Sequence, residues 1–101
     1  MTNYLLLYRT DSAMGTMPEP TAEEAAAMMD AWTAWGARAG AALVDFGNPT
    51  RVASPGADAT VGGYSMMQAE SFGDVARLLE GHPHTVVGGS IDVYEITPIS
   101  M

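Results

Sequence analysis

The chain opens on Tyr4-Leu5-Leu6-Leu7-Tyr8-Arg9, a short apolar run with an aromatic ring near each end that stops at Thr10-Asp11-Ser12. Its length and composition predict a mostly buried first strand. Residues 11–20 are small and polar, with Gly15, Pro18 and Pro20, and predict a loop long enough to act as a flap. Thr21 then stands three residues before Glu24, a capping box. Beyond it Ala25, Met28, Met29, Trp32, Trp35, Gly36 and Ala39 recur at helical spacing as far as Gly40, a suitable C-terminal stop.

Ala42 to Phe46 predicts a second strand, broken at Gly47-Asn48-Pro49, with Thr50 to Ala53 continuing it past a bulge. A connecting loop from Ser54 to Gly63 leads to a third strand over Tyr64–Ala69. Ser71 and Asp74 form a second capping box for a helix that turns Phe72, Val75, Leu78 and Leu79 inward and ends at Gly81. After the loop His82-Pro83-His84 and the pair Gly88-Gly89, Ile91 to Ile96 gives a fourth strand before Pro98. The order β-α-β-β-α-β is the ferredoxin-like, α+β arrangement: a four-stranded antiparallel sheet with two helices on one face. The strands are apolar on both alternate sets, so the face without helices calls for a cover, and a homodimer is expected to provide it.

Composition narrows this picture. A chain of 101 residues forms one domain, 1–101, with a modest core. Twelve carboxylates face four arginines, for a net charge of −8, which argues against nucleic acid or an anionic membrane as partner. With no cysteine, no basic leader followed by an apolar stretch, and no run long enough to cross a bilayer, a cytoplasmic protein is the expectation.

The order and spacing of several segments resemble the YCII-related family of dimeric α/β-barrel proteins over nearly the whole length. They are Tyr4–Tyr8, Trp32 and Trp35, Leu43 to Pro49, Gly63-Tyr64-Ser65, Ser71 to Leu79, His82-Pro83, and Gly88 to Val93 leading to Pro98. The resemblance implies the same fold and a dimer. It also implies cofactor-independent chemistry of the kind seen in a member that removes chloride from a chlorinated hydroxyquinol, for which a His-Asp dyad is proposed. That dyad places a histidine on helix one and an aspartate before the proline after helix two. Here the residue before Pro83 is His82, and helix one has no histidine. Asp30 is the nearest acid on helix one, so the two residue types are expected to have exchanged places.

His82 and His84 are the only side chains with ordinary pKa values near neutrality. A carboxylate can fix an imidazole's tautomer and raise its basicity, and Asp30 or Asp45 are the candidates to do this for His82. The alternative role for His82 is a cap on the carbonyls ending helix two. Asp45 interrupts an apolar strand, where it either faces a cavity or bonds nearby loop amides. His84, Tyr8, Tyr64 and Arg9 are candidate substrate-binding residues; the alternatives are solvent exposure for His84, packing for the tyrosines and surface pairing with Asp11 for Arg9. Trp32 and Trp35 read as core. No cluster has metal-ligand spacing, and no phosphate loop or dinucleotide fingerprint occurs, so neither metal nor cofactor is expected.

Two functions follow as expectations. The first is a small cofactor-independent lyase, isomerase or dehydrohalogenase moving a proton on a small, aromatic or carbonyl-bearing compound in a pocket of the dimer. The second is a non-catalytic dimeric protein that binds a small ligand or supports another enzyme. A cofactor-free monooxygenase ranks below both.

Overall fold

The computed structural model describes residues 1–10 and 21–99. In chain order the elements are β1 (Thr2–Arg9), α1 (Ala22–Ala39), a 3-10 turn (Gly40–Ala42), β2 (Leu43–Asp45), β3 (Val61–Ala69), α2 (Phe72–Leu79), the single turn α3 (Pro83–Val86) and β4 (Ser90–Ile96). The sheet runs β2-β3-β1-β4 and every neighbouring pair is antiparallel. Each helical crossover therefore skips one strand position and the two halves interlock as a ferredoxin-like fold with its helices on one face. The flap expected at 11–20 lies outside the described residues.

Alternation along the strands separates the two faces of the sheet. Tyr4, Leu6 and Tyr8 of β1 and Ser65, Met67 and Ala69 of β3 are buried on the helix side, where Trp35, Ala39 and Val75 close over them. The intervening residues point the other way. On that side Leu5 lies between Met66 and Tyr94, and Leu7 between Tyr64 and Asp92. These side chains keep part of their surface in water, and Tyr94 is 52% exposed.

Both N-caps form. The Thr21 hydroxyl accepts from the Glu24 amide at 3.1 Å and donates to the Glu24 carboxylate at 3.1 Å, so the box closes through the hydroxyl itself. Ser71 caps α2 through the Asp74 amide at 3.4 Å. The far end of α2 is held by α1: Trp35 Nε1 donates to the Leu78 carbonyl at 2.9 Å, and Arg38 Nη2 donates to the Leu78 and Glu80 carbonyls at 3.0 and 2.7 Å. Carbonyls that a helix end leaves without partners are thereby satisfied.

Three local expectations are corrected. The second strand ends at Asp45, and its continuation over 50–53 is not a strand; all that follows is an isolated bridge between Pro49 and Gly63 and a bond from the Thr50 amide to the Gly62 carbonyl at 3.0 Å. Pro49 has no N–H to offer a ladder. Met29 and Phe72, expected to face inward, are 66% and 57% exposed, because each lies at the edge of its helix's apolar stripe while Trp35 and Val75 take the centre. The loop after α2 contains α3, begun by Pro83 at the first helical position, where its fixed φ and missing N–H cost nothing.

Gly47 makes the break after β2. Its φ is +85°, and a Cβ there would stand 1.7 Å from the Tyr64 carbonyl oxygen. Gly47→Ala is therefore expected to cost about 2 kcal/mol or more, read as a lowered urea midpoint; an unchanged midpoint would show that the turn can move aside.

Candidate functional site

Burial of His82 organises the site. Its relative exposure is 0%, and the ring is enclosed by Tyr8, Trp32 and Trp35 at centroid distances of 5.3, 4.7 and 4.4 Å, with both indoles packed edge to face. Nδ1 accepts a hydrogen bond from the His84 backbone amide at 3.0 Å, so His82 is the N-cap of α3. An accepting Nδ1 carries no proton, and the neutral ring must hold its proton on Nε2. That Nε2–H is buried and has no hydrogen-bond partner among the described residues. The pKa is pushed down to about 4, first by burial and then by the charges of His84 and Arg38.

Beside it runs a chain of hydroxyls. Ser65 donates to the Phe46 carbonyl at 2.5 Å, which uses its single hydrogen, so the Tyr8 hydroxyl donates to Ser65 Oγ across 2.7 Å. Burial raises the Tyr8 pKa against the opposing effect of the Ser65 bond, and the phenol stays protonated. Its oxygen keeps acceptor capacity. The Phe46 ring, 44% exposed, packs against Trp32 and Trp35 at 6.1 and 6.3 Å, and with half-buried Trp32 it forms the part of the nest that water touches.

His84 adjoins this group, its ring 5.4 Å from that of Tyr8, and the remaining candidates fall elsewhere. His84 Nε2 bonds the Arg9 carbonyl at 2.7 Å, and since a carbonyl only accepts, this nitrogen carries a proton. The close seat of that ring depends on Gly89, where a Cβ would stand 2.3 Å from His84 Nε2. Arg9 lies on the sheet's open face and is held by Asp92 at 2.8 Å, by Thr60 at 3.3 Å and by an ion pair with Asp58. Its pKa is raised, chiefly by the bond to Asp92; Asp11, the partner expected for it, lies outside the described residues. Asp45 accepts from the Gly47 amide at 2.8 Å and from the Tyr64 hydroxyl at 3.4 Å. Asp30 is exposed on α1.

The structure thus brings His82, His84 and Tyr8 together and leaves Asp30, Asp45, Tyr64 and Arg9 out of the group. The expected pairing of His82 with Asp30 or Asp45 does not form: one ring nitrogen is taken by a backbone amide and the other bonds no carboxylate among the described residues. His82 also caps the start of α3, not the end of α2. Tyr8 sits under the helices, so its hydroxyl does not reach the open face as Tyr64 does. Ser65, Phe46 and Arg38 were not foreseen. A serine alternating in register with Met67 and Ala69 was the available signal for the first. Among the described residues no three His, Asp or Glu side chains converge as a metal site would require, and no helix is long and apolar enough to cross a membrane.

No model of a known protein family matches the chain, and no curated protein matches it significantly. Among solved structures it is similar to the 5-chloro-2-hydroxyhydroquinone dehydrochlorinase of Burkholderia phenoliruptrix AC1100 in complex with 2,5-dihydroxybenzoquinone, with a TM-score of 0.58 and 24% identity over 93% of each chain. The two share one fold. At this identity the likeness extends to architecture and no further.

The state of His82 has a consequence for stability. Its pKa is about 4 in the folded protein against an ordinary value of 6.5, so the unfolded chain binds the extra proton first as pH falls. The stabilisation is complete above pH 6.5 and is lost on the way down to about pH 4, a change of about 3 kcal/mol. Urea unfolding at pH 7 and at pH 4 should show this excess loss in the parent chain relative to His82→Asn, which keeps a cap acceptor without a titrating ring; equal losses would place the neutral ring in doubt.

Proposed function

We propose that the protein is a small, cofactor-independent enzyme of the YCII-related type, active as a homodimer on a hydroxylated aromatic or quinone-like compound bound in the nest around His82. The observation that carries this reading is the buried Nε2–H of His82, a donor without a partner among the described residues, set among aromatic walls. A buried donor left unpaired costs about 1–3 kcal/mol, and a ligand oxygen would recover that cost once the water-touched rings of Phe46 and Trp32 turn aside to admit it. The acceptor capacity of Tyr8 suits a ligand hydroxyl, and the rings of Trp32 and Phe46 suit a flat molecule. The similar structure, whose ligand is 2,5-dihydroxybenzoquinone, supports a compound of this class.

In this reading His82 acts as a neutral donor and not as a base. Its Nδ1 lone pair is engaged by the His84 amide, so it polarises a ligand carbonyl and stabilises the negative charge that grows on that oxygen when solvent water takes a proton from the ligand, a charge that is discharged when a halide departs with its bonding pair. His84 holds the loop to the end of β1. The dimer follows from the uncovered apolar residues Leu5, Leu7, Met66 and Tyr94 on the open face. A second reading, a dimeric protein that binds such a compound without turning it over, is favoured by the lack of any carboxylate bonded to either imidazole among the described residues.

Titration with 2,5-dihydroxybenzoquinone, followed by its visible absorption, tests the site. His82→Asn keeps the cap and removes the Nε2–H, and binding should weaken roughly tenfold; equal affinity for the two proteins would remove His82 from the site. Chloride release from a chlorinated hydroxyquinol separates the two readings, since a pure binder releases none. Sedimentation equilibrium tests the dimer separately: a stable monomer at tens of micromolar would leave the apolar face unexplained.

A further inference from the structure

The outer flank of α1 carries a feature that the nest around His82 does not use. A groove of about 680 Å³ runs between α1 and α3, walled by Ala27, Met28, Ala31, Pro83, Val86 and Val87. Its size falls within the range of small-molecule sites. Val86 and Val87 are 72% and 61% exposed, which leaves adjacent apolar side chains in water along one wall. Nearly all of this lining is apolar, and the two charged residues lie towards opposite ends, Glu24 in the first turn of α1 and Arg38 in the last. Fourteen residues of helix separate these ends by about 20 Å.

Arg38 differs from Arg9 and Arg77. Arg9 and Arg77 are neutralised by carboxylates, Arg9 by Asp58 and Asp92 and Arg77 by Asp74. Among the described residues Arg38 has no carboxylate partner; its Nη2 is committed to the carbonyls of Leu78 and Glu80. Those two bonds fix the plane of the guanidinium, and its Nη1 lies beside Gly81, itself part of the groove wall. A positioned cation at one end of an apolar trough complements a molecule with an apolar body and one terminal anionic group. The acidic far end disfavours a second anion there.

We propose that the groove between α1 and α3 is a binding site for an amphipathic carboxylate, its apolar body lying along Ala27, Met28, Ala31, Val86 and Val87 and its carboxylate on Arg38. The site does not depend on the donor role of His82. Trp35 borders the groove, so its fluorescence reports occupancy. Decanoate and decanol are titrated into the intact protein and into Arg38→Gln, Arg38→Lys and Ala31→Phe. The expected result is that decanoate binds more tightly than decanol, that Arg38→Gln weakens decanoate roughly tenfold with decanol unchanged, and that Arg38→Lys restores most of the preference. Ala31→Phe, at an exposed helix position, should fill the groove and weaken both ligands. Equal binding of acid and alcohol, no binding of either, or insensitivity to Arg38→Gln with circular dichroism intact would overturn the proposal.

Discussion

The hydrogen bond from the His84 amide to His82 Nδ1 determines more of this molecule than any other single contact. It caps α3, and so sets the direction in which the chain leaves α2 and returns to β4. It also fixes the tautomer of a fully buried ring. Because the ring is buried among Tyr8, Trp32 and Trp35, protonation would charge a group that water cannot reach. Protonating Nδ1 would in addition remove the cap. Packing, local geometry and ionisation therefore reinforce one another at a single residue, and the neighbouring His84 is placed by the same turn against the carbonyl of Arg9.

The sheet transmits that arrangement. Tyr8 and Ser65 belong to the alternate set that faces the helices, and their mutual bond crosses between strands to reach Phe46 beyond the end of β2. The short β2, ended by Gly47, frees Phe46 from the ladder so that its ring can turn towards Trp32 and Trp35. A longer second strand would have kept alternating and would have sent Phe46 along the sheet. The other set of strand residues carries a separate network, in which Arg9 ties the loop residue Asp58 to Asp92 of β4. One strand thus serves two unrelated polar systems, divided only by the period-two alternation of its side chains.

Most of the fold was legible because its signals are local. Thr21 with Glu24 and Ser71 with Asp74 mark helix starts by side-chain chemistry that acts within three residues, and the apolar strands identify themselves by composition. The start of α3 is equally local, a histidine followed by proline at the first helical position being a capping pattern, but four residues are too few to show helical periodicity and so predict only a loop. The site was less legible. Whether His82 meets a carboxylate depends on the rotation of α1 about its axis, and sequence spacing fixes that rotation only to within a residue or so. Asp30 lies two positions before Trp32, about 200° around the helix from it. With Trp32 turned towards His82, Asp30 must face solvent.

That rotation bears on what stands here in place of the dyad of the resembling pattern. In the resembling pattern an acid precedes the proline after helix two and a histidine approaches from helix one. Here the position before Pro83 holds the imidazole, and helix one presents the faces and edges of two indoles. The exchange is therefore not a reversal of partners, since indoles cannot hold a proton for an imidazole as a carboxylate can. It changes the character of the position from an anion to a neutral donor, in a region where the charges that act on His82 lower its pKa and so are positive. An anionic dyad member would repel a phenolate or carboxylate. A neutral N–H in a field of positive charge favours one, and this difference in electrostatic sign separates the chain from the pattern it resembles.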